Sequence, residues 1–325
     1  MSADPVPSLA RPPHVALLGE CMLELQGQAF GTMRQTFGGD TLNTAVYLAR
    51  CGVRTGVHAS YVTALGDDGF SSGLLERWVG EGLGVQWVRR LPGRLPGLYL
   101  IEVDAQGERR FSYWRDNAAA RSLFDAPSTP LEESLDQVDL LYFSGISLAI
   151  LPPAGRERLF ALLQRLRAQG GRVAFDNNYR PRLWSDRAAA QAAYARAYAL
   201  ADLAFVTLDD EAALHGRSDL GAAFDLPCAE VVVKRGAAST LVRTRHGQRL
   251  DVPVMPVTPV DTTAAGDSFA GAYLALRLAG ADEAAAAAFG NRLAGRVIQH
   301  RGALIPADAM VDLLPGPVAP AGAGA

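Results

Sequence analysis

Lysine is almost absent from this 325-residue chain: of 31 basic side chains, only Lys234 is not arginine. Alanine is abundant as well, so the composition has drifted, and most arginines read as interchangeable surface charges. Lys234 is then either a retained functional residue or a chance survivor. Cysteine is scarce too. Cys21, Cys51 and Cys228 lie far apart, with no CxxC or Cys/His ligand spacing, which leaves neither a disulfide framework nor a zinc site. No apolar run approaches the roughly 20 residues that span a bilayer. The opening MSADPVPSLARPPH has prolines where a signal peptide carries an apolar core. A net charge of -3 provides no basic footprint for nucleic acid or an acidic membrane. A GxxxxGK loop followed by Ser or Thr is missing, as is GxGxxG after the first strand, which weakens P-loop NTPase and dinucleotide-dependent dehydrogenase readings. The expectation by default is a cytoplasmic protein whose partners are neither nucleic acid nor membrane.

What is present is an ordinary globular composition, 49% apolar and 20% charged, in a chain long enough to bury a sizeable core. Residues 1–13 and the terminal PGPVAPAGAGA (315–325) read as disordered ends around a domain of 14–310. Within it, short β-rich runs alternate with longer amphipathic stretches. VALLGE (15–20), GVHASYV (56–62), LLYFSG (140–145), RVAFDNN (172–178), LAFVT (203–207) and EVVVKRG (230–236) read as strands. TLNTAVYLARCG (41–52), closed by its glycine, and the stretches 68–83, 155–169 and 187–200 read as helices. The alternation predicts an α/β body, a mostly parallel sheet covered by helices on both faces in three layers. Two stretches break the pattern. Residues 94–115 have β-type runs around DAQGE, a hairpin signal, and 21–37 has short extended pieces. They predict a small β-sheet placed as a lid over a ligand, with edges that suit pairing with a second copy of the chain.

Residues 261–275, DTTAAGDSFAGAYLA, bring small residues and Asp267 to the start of a helix, at a junction reached from the strand-like runs that end in VMPVTPV. The first amides of a helix lack internal partners and carry the positive end of its dipole, so small residues there make an anion cradle. Asp267 beside it is no phosphate ligand, because like charges repel; it suits removal of a proton from an attacking hydroxyl. The plain alternative is an acidic residue favouring its own helix dipole. FGGDTLN (37–43) permits close backbone approach at Gly38 and Gly39, with Asp40, Thr41 or Asn43 as hydrogen-bonding groups for a polyol; alone, it is equally a capped turn. VKRGAAS (233–239) places Lys234 and Gly236 at a strand end, near nucleotide phosphates or in a solvated turn. FDNNYRPRLW (175–184) puts Asn178 and Arg180 in a loop at a strand end, where open α/β sheets bind ligands. GERRFSYWR (107–115) sets Tyr113 and Arg115 on one strand face, an arrangement for a carboxylate-bearing substrate or simply for solvent.

Together these residues resemble the ribokinase-like (PfkB) sugar kinase family, whose hallmarks are a GG motif near the N-terminus and DTxGAGD near the C-terminus. Here they stand as Gly38-Gly39 with Asn43 and as Asp261 through Asp267. RLPGLYLIE, SGISLAILP, TLDDE, VVVKRGA and VIQHRGALIP extend the likeness over roughly 14–307, toward the branch acting on 2-keto-3-deoxygluconate. The resemblance implies ATP and Mg²⁺ as donor system and transfer to the C6 hydroxyl of that sugar acid. It assigns Asp267 as general base and the amides of Ala264, Ala265 and Gly266 as anion hole. Gly38, Gly39, Asn43, Tyr99, Tyr113, Arg115 and Arg180 would contact the sugar, and Asn178, Lys234, Gly236 and Gly266 the nucleotide. Glu211 is kept from an NxxE motif that handles metal indirectly, but Leu208 replaces its asparagine, and Ala264 replaces a glycine. Rival readings are a kinase of the same fold for fructose, ribose or 2-keto-3-deoxygalactonate, and a sugar-acid sensor without turnover.

Overall fold

The apolar runs at the central strand positions pair with one another because they are apolar on both faces and must be covered twice. The computed structural model describes residues 11–28, 30–103, 109–216 and 219–314; the tails 1–10 and 315–325 and the hairpin signal at 104–108 lie outside them. The strands are β1 (His14–Leu18), β2 (Met22–Gly27), β3 (Met33–Gly38), β4 (His58–Leu65), β5 (Val88–Arg90), β6 (Gly97–Val103), β7 (Arg109–Trp114), β8 (Leu140–Ser144), β9 (Arg172–Asp176), β10 (Leu203–Thr207), β11 (Glu230–Lys234), β12 (Thr240–Arg243) and β13 (Arg249–Val252). Among the described residues, nine form one sheet in the order β13-β12-β11-β10-β9-β8-β1-β4-β5. It is parallel from β11 to β5, and β12 and β13 extend it antiparallel. The expected three-layer α/β body is the observed one.

Strand periodicity sorts the core. Val231 and Val233 point into one apolar cluster with Phe143 and Phe175, while Val232 points into the other with Phe205 and Phe269. The helices that matter for the site are α1 (Asp40–Thr55), α2 (Leu208–His215) and α3 (Ala265–Leu278). Helices α1 and α3 pack on each other over the second cluster. They touch backbone to backbone because Gly271 has no side chain: a Cβ there would stand 2.6 Å from the Thr44 carbonyl oxygen.

The remaining four strands form a second sheet in the order β3-β2-β6-β7, which is the separate β-sheet expected from the two irregular stretches. Its strand β2 leaves β1 after only three residues, and pairing aligns Glu24 with Tyr99 and Tyr99 with Tyr113.

Three local expectations change. The first helix does not close at Gly52 but runs to Thr55 and ends at Gly56, whose φ of 76° is left-handed. Gly52 lies inside the helix, and it is a glycine because a Cβ there would stand 2.1 Å from the Val57 carbonyl oxygen. The last strand stops at Val252, so the DTTAAGD motif follows an irregular segment, 253–260, rather than a strand. Arg11 to Pro13, read as part of a loose end, are tied down: Arg11 Nη1 pairs with Asp139 at 2.8 Å, and His58 N–H donates to Pro13 O.

Candidate active site

The carboxyl ends of β9, β10 and β11, the starts of α1, α2 and α3 and the underside of the lid enclose a cavity of about 560 Å³. The cavity opens on the edge formed by the C-terminal ends of the parallel strands, where open α/β sheets bind ligands.

Helix α3 opens as its sequence suggests. Asp261 shapes the approach, its carboxylate accepting from Thr263 N–H (3.1 Å), Thr263 Oγ1–H (2.7 Å) and Gly302 N–H (3.0 Å). Ala264 then takes φ 60°, ψ 15°, the left-handed region. An alanine there costs about 1–2 kcal/mol relative to the right-handed region, so the glycine usual in the resembling family is replaced at the price of local strain. Among the described residues the amides of Ala264, Gly266 and Asp267 have no backbone acceptor, and all three residues line the cavity. Ala265, expected in the same cradle, instead donates to the Thr262 carbonyl at 3.3 Å.

Asp267 lines the cavity, and Asn43 of α1 donates to its Oδ2 at 2.9 Å. Enclosure raises its carboxyl from the ordinary 3.8 to about 7. The charge of Asp40 adds to the rise and that of Asp176 contributes less, while the Asn43 hydrogen bond and Lys234 oppose it. Such a carboxyl can both accept and release a proton near neutral pH.

Lys234 ends β11 with its ammonium 2.7 Å from Asp176 Oδ2, both side chains largely buried. Its Nζ would lie 3.2 Å from a Cβ on Gly266, so the missing side chain at Gly266 brings the ammonium against the start of α3. Tyr142 donates to the same Asp176 oxygen at 3.3 Å, and Thr44 of α1 donates to Tyr142. Asn178 lines the cavity and donates to Asp40 Oδ2 at 2.6 Å. Arg180 is half exposed, 3.3 Å from Asp210. Gly38, Gly39, Tyr99 and Tyr113 complete the wall toward the lid. The two rings stack at 6.0 Å, and the Tyr99 hydroxyl donates to Glu24. Gly39 has the close backbone neighbour its sequence implied, but that neighbour is the Glu20 carbonyl.

Three expected contacts stand elsewhere. Arg115 is buried beyond the end of β7, ion-paired with Glu20, and does not line the cavity. Gly236, at φ 60°, turns the chain past Lys234 outside the lining residues. Glu211 faces away: its Oε1 accepts from Asn177 Nδ2 at 3.1 Å and from the Tyr198 hydroxyl, so it braces α2 rather than meeting a metal at the cavity. Leu208 packs against the core, consistent with loss of a polar role at that position. Asp176 and Asp210 were not singled out from the sequence. The signal for Asp176 was its place at the end of a buried strand, where a carboxylate needs a partner, and the lone lysine supplies it.

The sequence matches the profile of the pfkB family of carbohydrate kinases over residues 13–310. It is 47% identical to the 2-dehydro-3-deoxygluconokinase of Escherichia coli strain K12, covering 91% of this chain and 98% of that protein. A fructokinase of Klebsiella pneumoniae is 31% identical, over 80% of this chain and 82% of its own length. The crystal structure of 2-dehydro-3-deoxygluconokinase from Thermotoga maritima superposes with a TM-score of 0.80 at 24% identity, covering 94% of this chain and 98% of that one, and so shares the fold. The chain belongs to the pfkB family of carbohydrate kinases.

Proposed function

We propose that this protein transfers the γ-phosphoryl group of ATP to the C6 hydroxyl of 2-keto-3-deoxygluconate. The carrying observation is the 47% identity, along nearly the whole of both chains, to a protein named for that reaction, against 31% to a fructokinase. The pocket residues fit a nucleotide polyphosphate: three amides with no backbone acceptor among the described residues stand at a helix start beside the ammonium of Lys234. ATP brings the phosphoryl group, and Mg²⁺ on its phosphates neutralises their charge. Among the described residues no three acidic or histidine side chains converge as a metal centre, which favours Mg²⁺ arriving on the nucleotide.

The remaining chemistry belongs to the chain. Asp267 accepts the hydroxyl proton as the new O–P bond forms, a step suited to a carboxyl at about 7. The free amides and Lys234 stabilise charge on the transferring group, the larger share of catalysis in phosphoryl transfer. Gly38, Gly39, Tyr99 and Tyr113 hold the sugar, and closure of the lid excludes water. Arg180 is the arginine presented to the cavity and binds the substrate carboxylate, Arg115 being engaged with Glu20.

The test is a coupled assay of the purified protein on 2-keto-3-deoxygluconate, its C4 epimer, fructose and ribose, repeated with Arg180→Met. The sugar acids should be preferred by kcat/KM. Loss of charge-assisted bonds worth about 1.5–3 kcal/mol should raise their KM roughly 10- to 100-fold, with little change for the neutral sugars. Turnover on fructose or ribose equal to that on the acid would reject the substrate, and equal losses for all sugars would reject Arg180 as its carboxylate contact.

A cytoplasmic location is part of this reading; no helix among the described residues is long and apolar enough to cross a membrane. So is a homodimer through the lid, whose outer strands β3 and β7 have one open edge each and whose Phe111, Tyr113 and Trp114 are exposed. Light scattering should then give twice the chain mass, reduced to one by Trp114→Arg; a monomeric wild type would end that proposal.

A further inference from the structure

Asn43 was grouped with the sugar contacts because it follows the glycine pair, yet its amide does something else. It is buried on the first turn of α1, at 5% exposure, and its Nδ2 is turned onto Asp267 Oδ2 at 2.9 Å across 224 residues of chain. Its position there is built in by packing. Gly271, one turn beyond Asp267 on α3, lets the backbone of Thr44 approach, and Thr44 is the neighbour of Asn43. The glycine that brings the two helices together therefore also sets the reach from amide to carboxylate. Among the described residues Oδ1 of Asp267 has no hydrogen-bond partner, and it is the oxygen left for a substrate hydroxyl.

The charges around Asp267 explain why such a donor matters. Asp40 on α1 and Asp176 on β9 disfavour its ionised form, Lys234 on β11 favours it, and the hydroxyls of Tyr47 on α1 and Tyr142 on β8 lie within reach of its field. An ionised carboxylate accepts only, so the donor face of the Asn43 amide supports the state that takes up a proton.

Resting on the reading of Asp267 as base, we infer that Asn43 is a positioning residue: it holds one carboxylate oxygen of Asp267, aims the other at the substrate, and sets the pH at which the pair begins to work. Its own Oδ1 is buried without a partner, which fits an amide fixed by its donor end.

The experiment is the pH profile of kcat/KM for 2-keto-3-deoxygluconate in wild type, Asn43→Leu and Asn43→Asp, with ADP affinity as the check on an intact nucleotide site. Wild type should rise through an acidic limb near 7. Asn43→Leu removes the donor and should move that limb up by about one pH unit, lowering kcat roughly fivefold at pH 7 with KM changed less than about threefold. Asn43→Asp, nearly identical in shape, places a second carboxyl on the first and should move the limb at least as far, so the answer does not depend on how well the leucine packs. A raised KM with the limb unmoved in both variants makes Asn43 a sugar contact and overturns the inference. Failure of the underlying reading looks different: Asp267→Asn would then keep its turnover whatever Asn43 variants do.

Discussion

Asp267→Asn should lose turnover by about 10² to 10⁴-fold while gaining stability above neutral pH. The loss follows from removing the group that accepts the hydroxyl proton, since general-base catalysis contributes about that much. Affinity for ATP and sugar acid should stay within a few-fold, because asparagine keeps the shape. The gain follows from the same environment. In the folded protein the Asp267 carboxyl holds its proton up to about 7, against an ordinary 3.8. A raised carboxyl contributes its stability fully below the unfolded value, loses it as pH rises, and has lost it once pH passes the folded value. Three pH units correspond to about 4 kcal/mol, and about 2–3 is a fair figure for a residue that keeps some surface on the cavity. The asparagine variant carries no such cost. Its melting temperature should equal that of wild type near pH 4, exceed it progressively up to pH 7, and stay above it beyond. Equal melting temperatures at pH 8 would show that burial puts no cost on the Asp267 carboxylate, and a kcat within about threefold of wild type would show that Asp267 is not the base.

Lys234→Met is expected to be the most damaging single change away from Asp267. It leaves Asp176 with its side chain 4% exposed and no counter-charge. Breaking one half of a buried pair costs about 3–5 kcal/mol, because an uncompensated charge remains. For a chain of this size, that is a fall in melting temperature of roughly 5–15 °C. The effect on Asp267 has a definite sign as well. Lys234 opposes the rise of its carboxyl, so removing it should push the acidic limb of kcat/KM further up. Adding Asp176→Asn should return most of the stability, since the orphaned charge goes with it, but should not restore the affinity for ATP lost with the ammonium beside Gly266. A melting temperature within about 2 °C of wild type in the single variant would mean that the pair is not worth its burial.

The two changes also separate what kinds of information the chain carries locally and globally. Drift to arginine made Lys234 visible as an exception, and its partner, Asp176, is the last residue of an apolar strand. What could not be seen was that the two meet, because β9 and β11 are separated by β10 and come within reach only through the shared sheet. Arg115 shows the opposite case. Two residues apart on a strand pattern, it and Tyr113 seemed to share a face, but β7 ends at Trp114, and Glu20 at the root of the lid draws the guanidinium inward. Nothing near residue 115 in sequence announces that partner.

By itself the sequence determined the alternation that makes an α/β body, the separate β-sheet, and the opening of a helix on small residues with a carboxylate in its first turn. These are consequences of side-chain period, turn chemistry and unpaired helix amides, all set by neighbours a few residues apart. Only the tertiary structure decided which of the candidate residues face one cavity, that Asn43 rather than a ligand takes one oxygen of Asp267, and that this carboxyl titrates near neutrality. Those properties are sums over charges and buried surface contributed by residues up to 224 positions away, and they come into being only when the helices and strands that carry them are packed together.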